Sequence, residues 1–154
     1  MTNRATLLAL AERVEAARVS DRTGLRNEVA LATGWHRVEP RFTKSKHGAW
    51  IKPCDFIGVH SDGSPKLDSL HGTDMHREPP NFLESLDAAM SLVPSGCSEW
   101  NVESWSAPCA IQPAHVRATA WVSGAARVYA ATPALALTAA CLRARAIAGS
   151  LPND

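Results

Sequence analysis

The chain has 154 residues, 45% hydrophobic and 20% charged, and a formal net charge of +1. That is enough chain for one domain with a real core, and the charge gives no overall drive toward nucleic acid or a membrane surface. No apolar run approaches the roughly 20 residues that span a bilayer, and M-T-N-R opens an amphipathic pattern instead of a signal peptide. The expectation is a cytoplasmic protein, folded as a single domain over 1–154.

Thr2 or Asn3 caps a first helix, on which Leu7, Leu10, Ala11, Val14 and Ala17 recur at helical spacing. Ser20-Asp21 breaks it and caps a second, from about 22 to 33, stopped by Gly34. Residues 36–80 are irregular and form a loop-rich insertion. Strand-like pieces stand at 36–39 and 49–52, with a short strand near 56–59. Gly58, Gly63, Pro65, Gly72, Pro79 and Pro80 make most of 54–80 turn and loop. Asn81 caps a third helix from Phe82 to about Leu92. Alternation at 100–105 and 116–123, a turn at Gly124 and a piece at 127–131 give three antiparallel strands. Of Trp100, Trp105 and Trp121, at least two belong in the core.

The last stretch, 132–149, is one helix with both ends marked. Thr132 and Pro133 suit the cap and the first helical position. Gly149 suits a left-handed exit, with Pro152 beyond it. Its only charges, Arg143 and Arg145, mark where it reaches solvent. The order of elements defines an α/β (α+β) fold, a layered helix–sheet–helix domain around a small antiparallel or mixed sheet of about three to five strands.

The near-neutral total hides a charge division. Residues 35–52 carry Arg37, Arg41, Lys44, Lys46 and Lys52 against Glu39, a balance of +4. Residues 53–99 carry Lys66 and Arg77 against Asp55, Asp62, Asp68, Asp74, Glu78, Glu84, Asp87 and Glu99, a balance of −6. Trp35, Phe42 and Trp50 are interleaved with the basic residues. Cations attract phosphates or carboxylates, and flat rings stack on bases. Arg37, Arg41, Lys44, Lys46, Trp50 and Lys52 are therefore the candidate binding residues.

His60, His71 and His76 share a segment with several aspartates, but the spacing H-x10-H-x4-H matches no standard metal site. They are weak metal candidates, and no metal or other cofactor is expected. No phosphate-binding glycine motif and no G-x-S-x-G is present. Of Cys54, Cys97, Cys109 and Cys141, none stands in a C-x-x-C pair or a recognisable nucleophile setting. The chain is expected not to be an enzyme.

Three segments together resemble a known family: S-D-R-T-G-L-R-N-E-V-A-L-A-T-G-W at 20–35, N-F-L-E-S-L-D-A-A-M-S-L-V-P at 81–94, and A-T-P-A-L-A-L-T-A-A-C-L-R-A-R-A at 131–146. In that order they are similar to the small phage and prophage proteins grouped as the phage ABA sandwich domain. The resemblance implies helix, sheet and helix layers and a viral or proviral origin, and it supplies no reaction or catalytic residues. It leaves 36–80 uncovered. The expected function is thus a non-enzymatic accessory protein that binds and inhibits a host component, a counter-defence inhibitor of a host protein or nucleoprotein complex such as a nuclease. Sequestering a nucleotide signal in a basic and aromatic pocket is the alternative, with nucleic acid as a related ligand. A small enzyme or a phage assembly protein is a further one. A homo-oligomer is compatible with all of them, and no membrane is involved.

Overall fold

A computed structural model describes residues 3–18, 22–68, 75–107 and 112–149. The chain divides into two compact units, one made of 1–26 with 81–154 and the other of 27–80. The division falls inside the second helix. The expected loop-rich segment at 36–80 lies within the second unit.

In the first unit the apolar carboxy-terminal stretch forms α4, Pro133–Ala148. Thr132 Oγ1 accepts from the Leu135 N–H at 3.3 Å, with Pro133 opening the first turn. At the other end Gly149 is right-handed, with φ −70°, and not in the expected left-handed exit. Its N–H still donates to the Arg145 carbonyl at 3.0 Å, so the helical path continues through it.

Eleven residues of α4 are buried, six of them alanines. Small side chains let neighbours pack close on every side. The helices α1, Arg4–Glu15, and α3, Leu86–Met90, lie against it, as do the strands β5, Trp100–Ser104, β6, Ala118–Val122, and β7, Val128–Ala130. The buried stripe of α1 is Leu7, Leu10, Ala11 and Val14, the periodicity visible in the sequence. Its cap is Asn3, whose Oδ1 accepts from the Thr6 N–H at 2.8 Å.

The charges of α4 do not simply reach solvent. Arg143 pairs with Glu15 of α1, and Arg145 Nη2 donates to the Leu92 carbonyl at 3.3 Å. Burial raises the Glu15 carboxyl above its usual range, and the Arg143 charge opposes that rise.

Helix α3 is shorter than the helix expected over 82–92, and its cap is Ser85, not Asn81. Ser85 Oγ accepts from the Ala88 N–H at 3.2 Å. Asn81 Nδ2 instead donates to Glu84 Oε2 at 2.6 Å, while Arg22 Nη1 meets Glu84 Oε1 at 2.8 Å. The Phe82 carbonyl, which would accept from residue 86 in a continuous helix, accepts from Thr138 Oγ1 at 2.7 Å. Thr138 is the buried polar group of α4 and ties the 82–85 turn to it. Thr138→Val should lower stability by about 1–3 kcal/mol, because the buried hydrogen bond from Thr138 to the Phe82 carbonyl is lost; urea unfolding measures it.

The strands β5, β6 and β7 form an antiparallel sheet in that order, with Trp100↔Val122, Val102↔Ala120 and Ala120↔Val128 in register. Ala118, Ala120, Val122, Val128 and Ala130 are buried. The opposite face carries Asn101, Glu103, Thr119, Trp121 and Tyr129. The strand tryptophans are not core residues. Trp100 is 39% exposed on an edge strand, and Trp105 and Trp121 are half-buried. The α+β class is therefore what the chain adopts, built from several small antiparallel sheets rather than one.

The helix α2, Arg22–Ala32, leads into the second unit. It ends where Gly34 takes φ 94°, with the Trp35 N–H on the Ala30 carbonyl at 3.0 Å and the Gly34 N–H on the Leu31 carbonyl at 3.2 Å. This left-handed cap satisfies the last carbonyls and turns the chain. The strand β1, His36–Val38, pairs antiparallel with β2, Ala49–Ile51. The strand β3, Phe56–Val59, pairs with β4, Pro65–Leu67, across an irregularity at Phe56/Gly58. The segment expected as loop thus contains a second hairpin. β4 escapes sequence reading because it is three residues long and opens on a proline, which is tolerated at a strand's first position. Val38, Ala49 and Ile51 form a small core, with Phe42, Phe56 and Leu67 packed on it.

Candidate functional site

The basic residues of the second unit sit around β1, β2 and the link between them. Arg37 lies on β1, exposed, with its guanidinium over the Trp50 ring at 6.0 Å. Pro40–Phe42 is a short 3₁₀ turn that carries Arg41 and Phe42. Arg41 Nε meets Glu39 Oε2 at 2.7 Å, and the Arg41 guanidinium covers the Phe42 ring at 4.5 Å from its centroid. Lys44 and Lys46 stand exposed in the following turn, where Thr43 Oγ1 accepts from the Ser45 N–H at 3.1 Å. Lys52 is exposed at the start of the next 3₁₀ turn, Pro53–Asp55.

Trp50, expected as a stacking ring, is only 5% exposed. Its N–H donates to the His76 carbonyl at 2.7 Å, and its carbonyl accepts from the His76 N–H at 2.8 Å. Trp35, 9% exposed, meets the His76 ring edge-on at 5.5 Å. Neither tryptophan is therefore an open platform: Trp50 lies beneath the Arg37 guanidinium, and Trp35 is buried against His76.

The bridge at His76 also explains two residues that sequence reading did not select. Side chains alternate along an extended segment, so Met75 and Arg77 point away from His76. Both line an open groove of about 760 Å³ with Phe42, Lys44 and Gly48. Arg77 stood in the acidic part of the sequence, and only the pairing of Trp50 with His76 brings it beside Lys44. A second, smaller cavity also has Phe42 in its wall and is lined in part by Arg37, Phe56 and Val59.

Of the weak metal candidates, only His60 and His76 lie among the described residues. His60 is exposed at the turn between β3 and β4, His76 lies against Trp35, and His71 lies outside the described residues. Among the described residues no group of three or more His, Cys, Asp or Glu side chains is placed to hold a metal ion.

Nor is Cys54 set up as a nucleophile. It is exposed, and its Sγ donates to Asp55 Oδ1 at 3.4 Å, which pushes the thiol pKa up. A thiolate, not a thiol, attacks. Cys54 should therefore react with iodoacetamide at pH 7 no faster than free cysteine; a markedly faster rate by mass spectrometry would contradict this geometry. Cys141 is buried, its thiol pushed up to about 12.

Compared with protein-family models, curated proteins and solved structures, the chain matches none. No helix among the described residues is long and apolar enough to cross a membrane.

Proposed function

We propose that this protein acts by binding, without catalysis, as a phage or prophage accessory protein that occupies and inhibits a component of the bacterial cytoplasm. The contact surface is the basic side of the 27–80 unit, and its partner is an acidic protein surface, alone or within a nucleoprotein complex. One observation carries this reading. Arg37, Arg41, Lys44, Lys46, Lys52 and Arg77 are all exposed, while Trp35 and Trp50 are buried. Cations without free ring platforms suit carboxylates better than the stacked bases of a nucleic-acid strand. The resemblance of 20–35, 81–94 and 131–146 to the phage ABA sandwich family supports the viral setting and leaves the 27–80 unit mostly outside it.

The nucleotide reading has its own observation. The groove of Lys44 and Arg77, about 760 Å³ with Phe42 and Met75 on its walls, is of the size that holds a nucleotide-sized ligand. Mass spectrometry of whatever copurifies from bacterial lysate separates the two. An acidic protein supports the first reading, a bound nucleotide the second, and an empty protein contradicts both.

A further inference from the structure

The smaller cavity beside the basic groove measures about 170 Å³. That is well above one water's share of about 30 Å³ and below the roughly 300 Å³ at which pockets begin to hold a drug-sized ligand. It is the scale of one large side chain. Its lining is mixed: Val38, Phe42, Phe56, Val59 and Pro65 give the apolar part, and His36, Arg37 and Glu39 stand among them. Val59 is 66% exposed and Ile57, two residues before it, 56%. Ile57 and Val59 are thus two exposed β-branched side chains on one short strand, and Val59 also lines the hollow.

The charges at its rim are accounted for one by one. Glu39 is engaged by Arg41. The His36 ring stacks flat on Phe56, centroids 3.5 Å apart and planes 20° from parallel, and burial lowers its pKa, so it is neutral near pH 7. Arg37, whose guanidinium lies over the Trp50 ring, is the cation in the lining. Phe42 is shared with the larger groove, where Lys44 and Arg77 supply the next positive charges.

We infer that this cavity is a socket for one apolar or aromatic side chain of the partner, flanked in the partner by carboxylates that reach Arg37 and, in the groove that shares Phe42, Lys44 and Arg77. The inference rests on the acidic-protein reading above and specifies it. Interfaces concentrate their affinity where a large side chain fills a desolvated pocket inside a charged rim. Charge complementarity selects an acidic segment, and the hollow adds an anchor to it.

The test uses the full chain and capped peptides of the form Asp-Glu-X-Glu-Asp, with X as Phe, Leu or Gly, and Asn-Gln-Phe-Gln-Asn as the neutral counterpart. Amide shifts of Val38, Phe42, Val59 and Gly63 are followed by NMR. The Phe and Leu peptides should bind at least about tenfold more tightly than the Gly peptide, a difference of roughly 1.4 kcal/mol. Val59→Trp should remove that preference, because its ring covers the hollow from an exposed position, and Arg37→Gln should weaken the acidic peptides only. Equal binding of the Phe and Gly peptides overturns the socket and leaves the basic face standing. Binding of neither overturns both. A neutral peptide as tight as the acidic one overturns the charged rim, and a preference that survives Val59→Trp overturns the location.

Discussion

Gly48→Ala is expected to destabilise the 27–80 unit by about 2 kcal/mol or more. Gly48 has φ +79°, a left-handed conformation that costs an L-residue roughly 1–2 kcal/mol. The second cost is steric. A Cβ on Gly48 would overlap the Val38 carbonyl oxygen, which is backbone and cannot swing aside. Val38 pairs with Ala49 in the hairpin register, so relief of the overlap must part β1 from β2. Gly63 is the control within the same unit. Its φ is +82°, but a Cβ there meets only Phe42 and Arg41 side chains, at 3.7 and 3.8 Å. Gly63→Ala should therefore show the conformational cost alone. Urea unfolding, with amide exchange at Val38, Ala49 and Ile51, measures both; equal effects of the two substitutions would mean that the close approach at Gly48 is not real. The same turn carries Lys44 and Lys46, so loosening it also blurs the basic face.

The second large effect is on binding. Lys44→Glu with Lys46→Glu turns two exposed cations into anions at the centre of the proposed contact. Like charges across an interface repel, and the change moves the association rate and its salt dependence more than the fold. The expected loss of affinity for an acidic partner is roughly 10- to 100-fold at low salt, shrinking as added salt screens the exposed charges. Neither lysine is buried, so unfolding by urea should be almost unchanged.

Much of the fold was legible because helix and sheet periodicities are local. The α1 stripe, the cap at Thr132, the stop at Gly34 and the three strands around Gly124 all follow from residue type and spacing. The exceptions at α3 and at the arginines of α4 involve a partner distant in sequence. Helix α3 starts late because Thr138, more than fifty residues away, takes the Phe82 carbonyl. Arg143 and Arg145 turn inward because Glu15 and the Leu92 carbonyl await them. Gly149 stays right-handed because its N–H remains within the helical hydrogen-bond pattern.

The candidate site divides in the same way. The positive run at 37–52 was visible, and its cations are exposed. Composition alone cannot say which aromatics in such a run are free. Trp50 sits at the middle of a strand whose three residues are all buried. A three-residue strand is too short for alternation to reveal that. Arg77 was hidden by its acidic neighbours in sequence, and only pairing at the level of the backbone places it with Lys44.

The central claim is that the basic side of the 27–80 unit grips an acidic partner. Its most direct test is quantitative mass spectrometry of bacterial proteins retained by the wild-type chain and by the Lys44→Glu, Lys46→Glu double variant, side by side at low and raised salt. Acidic proteins held by the wild type, released by salt and lost from the folded variant are the predicted result. The same proteins retained equally by both chains, or none enriched by either, would contradict it.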